Sequence, residues 1–216
     1  MSLGTDRTGG ADTTLSFVHR FLPADQAGRP PLLLLHGTGG DENDLVDLGR
    51  ALSPGSALVS PRGKVLEGGM PRFFRRLAEG VFDEDDVRRR ANELADFVAE
   101  AREAYGLSAP VAVGFSNGAN IAAALMLLRP GVLSGAVLLR AMVPLAKPPA
   151  ADLAGTPVLL LSGAMDPIVP AENAARLAGM LANAGAVVDH RTLPAGHGLS
   201  QADLSLATGW LAKRPG

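Results

Sequence analysis

The chain has 216 residues, 47% hydrophobic and 19% charged, with a net charge of −2 and no cysteine. That length supports one sizeable core, and the balance offers no basic surface for nucleic acid or an anionic membrane. The missing cysteine excludes disulfides, thiolate metal sites and a cysteine nucleophile.

Residues 1–12, rich in Gly, Thr and Asp, read as a flexible tail, and residues 13–216 as one domain. Residues 14–21 alternate apolar and polar, as an edge strand does. The Leu run at 32–35 fits a strand buried on both faces. Residues 44–52 read as a short helix and 57–60 as a short strand. No periodicity organises 62–82, and long irregular segments in compact domains are often functional. Asp83 opens the clearest helix: acids at 83–86 suit the positive end of the helix dipole. Val87, Ala91, Leu94, Val98 and Tyr105 mark one face at helical spacing, and Gly106 ends it. Next come a strand at 111–113 and a buried helix at 119–128. Strands at 136–139, 158–161 and 187–193 enclose a helix at 171–184, and 201–213 forms a closing helix. Strands alternating with helices predict an α/β architecture, a mostly parallel twisted sheet covered on both faces. The longest apolar run, 121–128, is far short of a membrane span. The N-terminus lacks a basic-then-apolar export pattern, so the expected location is cytoplasmic.

Gly114-Phe115-Ser116-Asn117-Gly118 stands between a strand and a helix. Gly-x-Ser-x-Gly at such a junction is the nucleophile elbow, where a sharp turn exposes a serine. A serine hydroxyl needs a base, and the base an orienting acid, in the chain order Ser, Asp or Glu, His. Only His190 and His197 follow Ser116. His190 lies within a strand pattern, on a solvated face, whereas His197 lies between Gly196 and Gly198 just past a strand end. Asp166 follows another buried strand, with turn residues around it. Asp152, Asp189 and Asp203 compete, but Asp189 is mid-strand and the other two follow no strand. Ser116, Asp166 and His197 would meet at the carboxyl ends of the strands, where open α/β sheets bind ligands. The turn Leu35-His36-Gly37-Thr38-Gly39-Gly40 follows a buried strand. It nominates Thr38 as one oxyanion N–H donor, with Asn117 as the other, and His36 as the lock of that turn. The turn lacks the endings of phosphate-binding loops. Four scattered histidines without cysteine make a poor metal set, so no metal and no cofactor are expected.

With those residues in place, the chain resembles the carboxylesterase/phospholipase family of small α/β-hydrolases. That family includes acyl-protein thioesterases and belongs to the dienelactone hydrolase superfamily. The resemblance runs from about Val18 to Leu211. It is carried by His36-Gly37-Thr38-Gly39-Gly40-Asp41-Glu42-Asn43-Asp44-Leu45, Ser60-Pro61-Arg62-Gly63, the Ser116 elbow, Asp166-Pro167-Ile168-Val169-Pro170 and Gly196-His197. It implies an α/β-hydrolase fold, and the absence of a long insertion in the sequence suggests no large lid. It also implies a Ser116–Asp166–His197 triad with Thr38 and Asn117 at the oxyanion. Two features depart from the ordinary esterases: Asn117 replaces a usual Gln, and Leu138-Leu139-Arg140-Ala141-Met142 replaces a Leu-Ser-Gly segment. The latter, with residues 72–83, is closer to a bacterial branch found with quinone- or metal-stress genes.

The reading is a serine hydrolase acting on carboxylic esters of small molecules. A thioesterase, a lactonase and a non-catalytic ligand-binding relative stand as alternatives. The expected partner is a small ester, with no nucleic acid and no membrane. The oligomeric state is open between monomer and homodimer. Arg72, Phe73, Phe74, Arg140 and Met142 are candidate pocket residues, because Arg holds a carboxylate in a bidentate fork and aromatic neighbours wall a pocket. Pairing of these arginines with Glu79 or the acids at 83–86 is the competing reading.

Overall fold

The computed structural model describes residues 15–214; the expected tail at 1–12 lies outside them. Seven strands form the main sheet: β1 (His19–Leu22), β2 (Leu32–Leu35), β3 (Leu58–Pro61), β8 (Val111–Phe115), β9 (Gly135–Leu139), β10 (Pro157–Gly163) and β11 (Val187–Leu193). Their spatial order is β1-β3-β2-β8-β9-β10-β11. All pairings are parallel except that of β1 with β3. The edge strand is shorter than its alternation predicts. Residues 15–17 bend instead, Phe17 is buried, and the Ser16 N–H donates to the Glu100 carboxylate at 2.9 Å. Alternation marks which side chains turn inward, not where ladder pairing begins.

Five helices complete the main fold: α1 (Val46–Leu52), α2 (Glu84–Tyr105), α3 (Asn117–Leu128), α4 (Ala171–Asn183) and α5 (Gln201–Leu211). The central strands carry apolar side chains on both faces, and strand periodicity sorts them into two cores. Leu33, Leu35, Ala112, Leu138 and Leu160 pack with α2, α3 and α4. Leu32, Leu34, Val113, Leu139 and Leu161 pack with α1 and α5. The expected face of α2 is buried at Val87, Ala91, Leu94 and Val98. Asp83 caps it by accepting the Asp86 N–H, and Gly106 closes it at φ +64°. Tyr105 is only half-buried; its ring stacks on Phe21 and its hydroxyl lies 2.7 Å from His19 Nε2.

The irregular stretch 62–82 resolves into two small antiparallel hairpins, β4 (Val65–Glu67) with β5 (Met70–Arg72), and β6 (Arg76–Ala78) with β7 (Val81–Phe82). Their strands are two or three residues long, too short to leave a sequence period. Among the described residues no helix is long and apolar enough to cross a membrane.

Candidate active site

The elbow is a packing solution before it is a chemical one. A Cβ at position 118 would stand 1.9 Å from the Leu35 carbonyl oxygen, and one at 114 would stand 2.6 Å from that of Gly118. Glycine at both positions therefore lets α3 leave β8 abruptly. Ser116 takes the strain, with φ 51° and ψ −112°, a region that side chains other than glycine rarely adopt. Its N–H donates to the Leu139 carbonyl at 2.8 Å, tying the turn to β9.

Three strand ends converge on this serine. His197 Nε2 lies 3.0 Å from Ser116 Oγ, and His197 Nδ1 lies 2.8 Å from Asp166 Oδ2. The Asp166 side chain is fully buried, and that of His197 is 20% exposed. Asp166 Oδ1 accepts the N–H groups of Ile168 at 2.8 Å and Val169 at 3.1 Å. The Asx turn and the histidine contact thus use different oxygens of one carboxylate. The competing acids are engaged elsewhere. Asp189 pairs with Arg191, Asp152 accepts the Ala154 N–H, and Asp203 is buried against Arg140. His190 is not a solvated side chain: it bonds Ser162 at 2.8 Å, and burial lowers its pKa.

His36 holds the glycine-rich turn. Nδ1 lies 2.6 Å from the Gly37 carbonyl and Nε2 accepts the Gly63 N–H at 3.0 Å. This pair requires a neutral ring with its proton on Nδ1. Burial lowers the His36 pKa, against the Gly37 hydrogen bond and the charges of Asp44, Asp41 and Glu42. Thr38 is exposed on that turn and borders the same cavity as Ser116 and Asn117. Arg62, from the turn after β3, grips Glu42 through two oxygens at 2.5 and 2.6 Å.

The cavity over Ser116 has a volume of about 270 Å³, at the small end for ligand pockets. Of the candidate pocket residues, Arg72 and Met142 line it. Phe73, Phe74 and Arg140 do not, and those three expectations are corrected. Phe73 packs on His36, with ring centroids 4.7 Å apart, and Phe74 on Phe82 at 5.0 Å. They lie in the link between the two hairpins and are buried in the main core. Sequence reasoning missed Arg76, Glu79 and Phe82 from the hairpins, and Asn120 and Ile168 from the turns near Ser116 and Asp166. Asn120 alone had a readable signal, standing one helical turn after the serine.

Arg140 has another task. It adopts φ +58°, in the left-handed region, and is fully buried. Nε donates to Gly196 O at 2.8 Å and Nη2 to Gly198 O at 3.0 Å, so the guanidinium grips the backbone on either side of His197. Nη1 reaches Leu161 O at 3.3 Å, and Asp203 takes Nη1 and Nη2 at 2.7 and 2.8 Å. All five guanidinium N–H donors are thereby used within the protein. Burial alone would raise the Asp203 pKa; hydrogen bonds from Arg140 and Ser200 outweigh it and hold the carboxylate below its usual range. Among the described residues no group of three His, Asp or Glu side chains could hold a metal ion.

A parallel-rich sheet with a serine on a strained strand-to-helix turn, a histidine loop and a buried aspartate defines an α/β-hydrolase. The model of the phospholipase/carboxylesterase family matches residues 21–214, and the chain belongs to that family. A protein of Bacillus subtilis (strain 168) that carries the name of a hydrolase, MhqD, is 46% identical over 181 residues, 83% of this chain and 90% of its own. The Bacillus cereus carboxylesterase structure aligns with a TM-score of 0.89 at 43% identity, covering 92% of this chain and 94% of its own. That of a Mesorhizobium loti carboxylesterase aligns with 0.90 at 37% identity, covering 95% and 99%. The protein is a carboxylic ester hydrolase.

Proposed function

We propose that the protein cleaves carboxylic esters of small molecules through an acyl-enzyme on Ser116. The observation that carries this reading is the continuous relay from Asp166 through His197 to Ser116 Oγ, with contacts of 2.8 and 3.0 Å. His197 Nε2 takes the hydroxyl proton as Oγ attacks the ester carbonyl. Asp166 holds the ring in the tautomer with its proton on Nδ1 and stabilises the imidazolium that forms. The backbone N–H groups of Thr38 and Asn117 receive the oxyanion. The imidazolium then protonates the alkoxide as it leaves. Water enters and attacks the acyl-enzyme by the same route, returning the acid and free Ser116.

The small cavity and its polar rim support short substrates over long acyl chains. Turnover of short esters by purified Ser116→Ala and Asp166→Asn tests the reading. The expected losses in kcat are roughly 10⁶-fold for the serine and roughly 10⁴-fold for the aspartate, both variants remaining folded by circular dichroism. A folded Ser116→Ala protein that keeps most of its turnover would overturn it.

A further inference from the structure

Two buried hydrogen-bond donors beside Ser116 lack a hydrogen-bond acceptor. One is Nη1 of Arg72 and the other is Nδ2 of Asn117; both residues line the cavity. Another atom of each side chain is already bonded. Arg72 Nε donates to the Phe74 carbonyl at 3.2 Å, and Asn117 Oδ1 accepts the Phe73 N–H at 2.8 Å. A buried donor left unmatched costs free energy, and native proteins rarely tolerate it without a use.

The charges at this wall are also unequal. Arg72 Nη1 lies 3.1 Å from Glu67 Oε2, within ion-pair reach but off the hydrogen-bonding direction. The same carboxylate takes Nε and Nη2 of Arg76 through Oε1, at 2.9 and 2.8 Å. One carboxylate thus serves two guanidiniums. Arg72 is 3% exposed, where an uncompensated charge is expensive. Glu79 borders the cavity too, on the exposed tip of the second hairpin. Arg72 is therefore the buried charge of this cavity, Arg76 is part-exposed and Glu79 lies at the surface.

The position selects one part of the substrate. Pro71 O accepts the Gly39 N–H at 3.0 Å, and Phe73 N–H donates to Asn117. The residues on either side of Arg72 are thereby tied to the Thr38 turn and to Asn117, the two oxyanion positions. The leaving oxygen must instead face His197 to receive its proton. An arginine whose neighbours are tied to the oxyanion positions, and not to the His197 loop, is placed to meet the acyl part.

We propose that Arg72 and the Asn117 side-chain amide form a carboxylate-binding subsite, so that the preferred substrates are short esters whose acyl chain ends in a free carboxylate. The inference rests on the serine-hydrolase reading above. Both donors lie covered just behind the cavity surface; a bound carboxylate would draw them toward it and balance the second guanidinium.

Two esters of matched shape test it: monoethyl succinate, and ethyl 4-oxopentanoate, in which a methyl ketone replaces the carboxylate. Ethanol release by the full-length protein gives kcat/KM for each. The wild type should favour the acidic ester, and Arg72→Met should lose roughly 10–100-fold more on it than on the ketone ester, the worth of a hydrogen bond to a charged group. A wild type with no preference, or a variant with equal losses on both esters, overturns the subsite. Should Arg72→Met fail to fold, the wild type alone decides. Succinate should then inhibit ketone-ester hydrolysis competitively at roughly 10-fold lower concentration than butyrate, and equal inhibition overturns the proposal. Turnover of the ketone ester without these effects refutes the subsite and leaves the serine mechanism standing. If neither ester is turned over and Ser116 resists phosphonate labelling, the mechanism itself fails and the subsite with it.

Discussion

Arg140 stands at the carboxyl edge of the sheet, where a ligand-binding arginine would be expected, yet its guanidinium is consumed by the protein. The difference comes from one backbone angle. At φ +58° the residue leaves β9 in the left-handed conformation, and no sequence pattern announces that for an arginine. Its contacts with Gly196 and Gly198 make it a positioning group for His197. Arg140→Lys keeps a charge for Asp203 but lacks the fork that spans both carbonyls. A misplacement of about 1 Å can cost roughly 10²-fold, so kcat should fall by about that factor while KM stays near its wild-type value. Steady-state kinetics on the folded variant check this. An unchanged kcat with only a lower melting temperature would mean that Arg140 braces the fold and nothing more. Asp166 shows the opposite case. Chain order limits the acid to the residues between Ser116 and His197, the place just past a buried strand singles out Asp166 over the mid-strand Asp189, and the structure sets Asp166 2.8 Å from His197.

Longer segments were readable in proportion to their periodicity. The 22 residues of α2 announce themselves through the apolar spacing of Val87, Ala91, Leu94 and Val98 and the acids at its start. The hairpins of 65–82 do not, because two or three residues hold no period; Asn117 and Asp86 from elsewhere in the chain hold this stretch, and Arg76 and Glu67 join one hairpin to the other. The His36 turn lies between these cases: its glycines are visible, its lock is not. Because the His36 pKa is lowered in the folded protein, by burial, acid favours the unfolded chain, which binds the proton more readily. The stabilisation is complete above the ordinary histidine pKa of 6.5 and is lost as pH falls from there toward the lower folded value. Urea unfolding at pH 7.5 and 5.5 should show a larger loss for wild type than for His36→Gln. His190, shifted in the same direction by burial, contributes to both proteins and cancels in the comparison. Equal losses would place the His36 ring outside this linkage.

The molecule as a whole is a scaffold that brings residues 116, 166 and 197 to one edge of a sheet. Each stands just past the end of its strand, β8, β10 and β11 respectively. Of these, β8 and β10 are interior strands with buried side chains, β11 is the edge strand paired to β10, and the two cores on either side leave the carboxyl edge little freedom to shift. The hairpins and the Arg72 wall, whose placement depends on contacts between distant residues, then narrow that edge to a small cavity. The central claim is that Ser116 is the nucleophile and that only the folded assembly activates it. Mass spectrometry after brief exposure to a fluorophosphonate is the most direct test. One phosphonyl group per chain is expected, on the peptide containing Ser116. The label should disappear in Ser116→Ala and in urea-unfolded wild type. Labelling at another residue, or none on the folded wild type, would contradict the account.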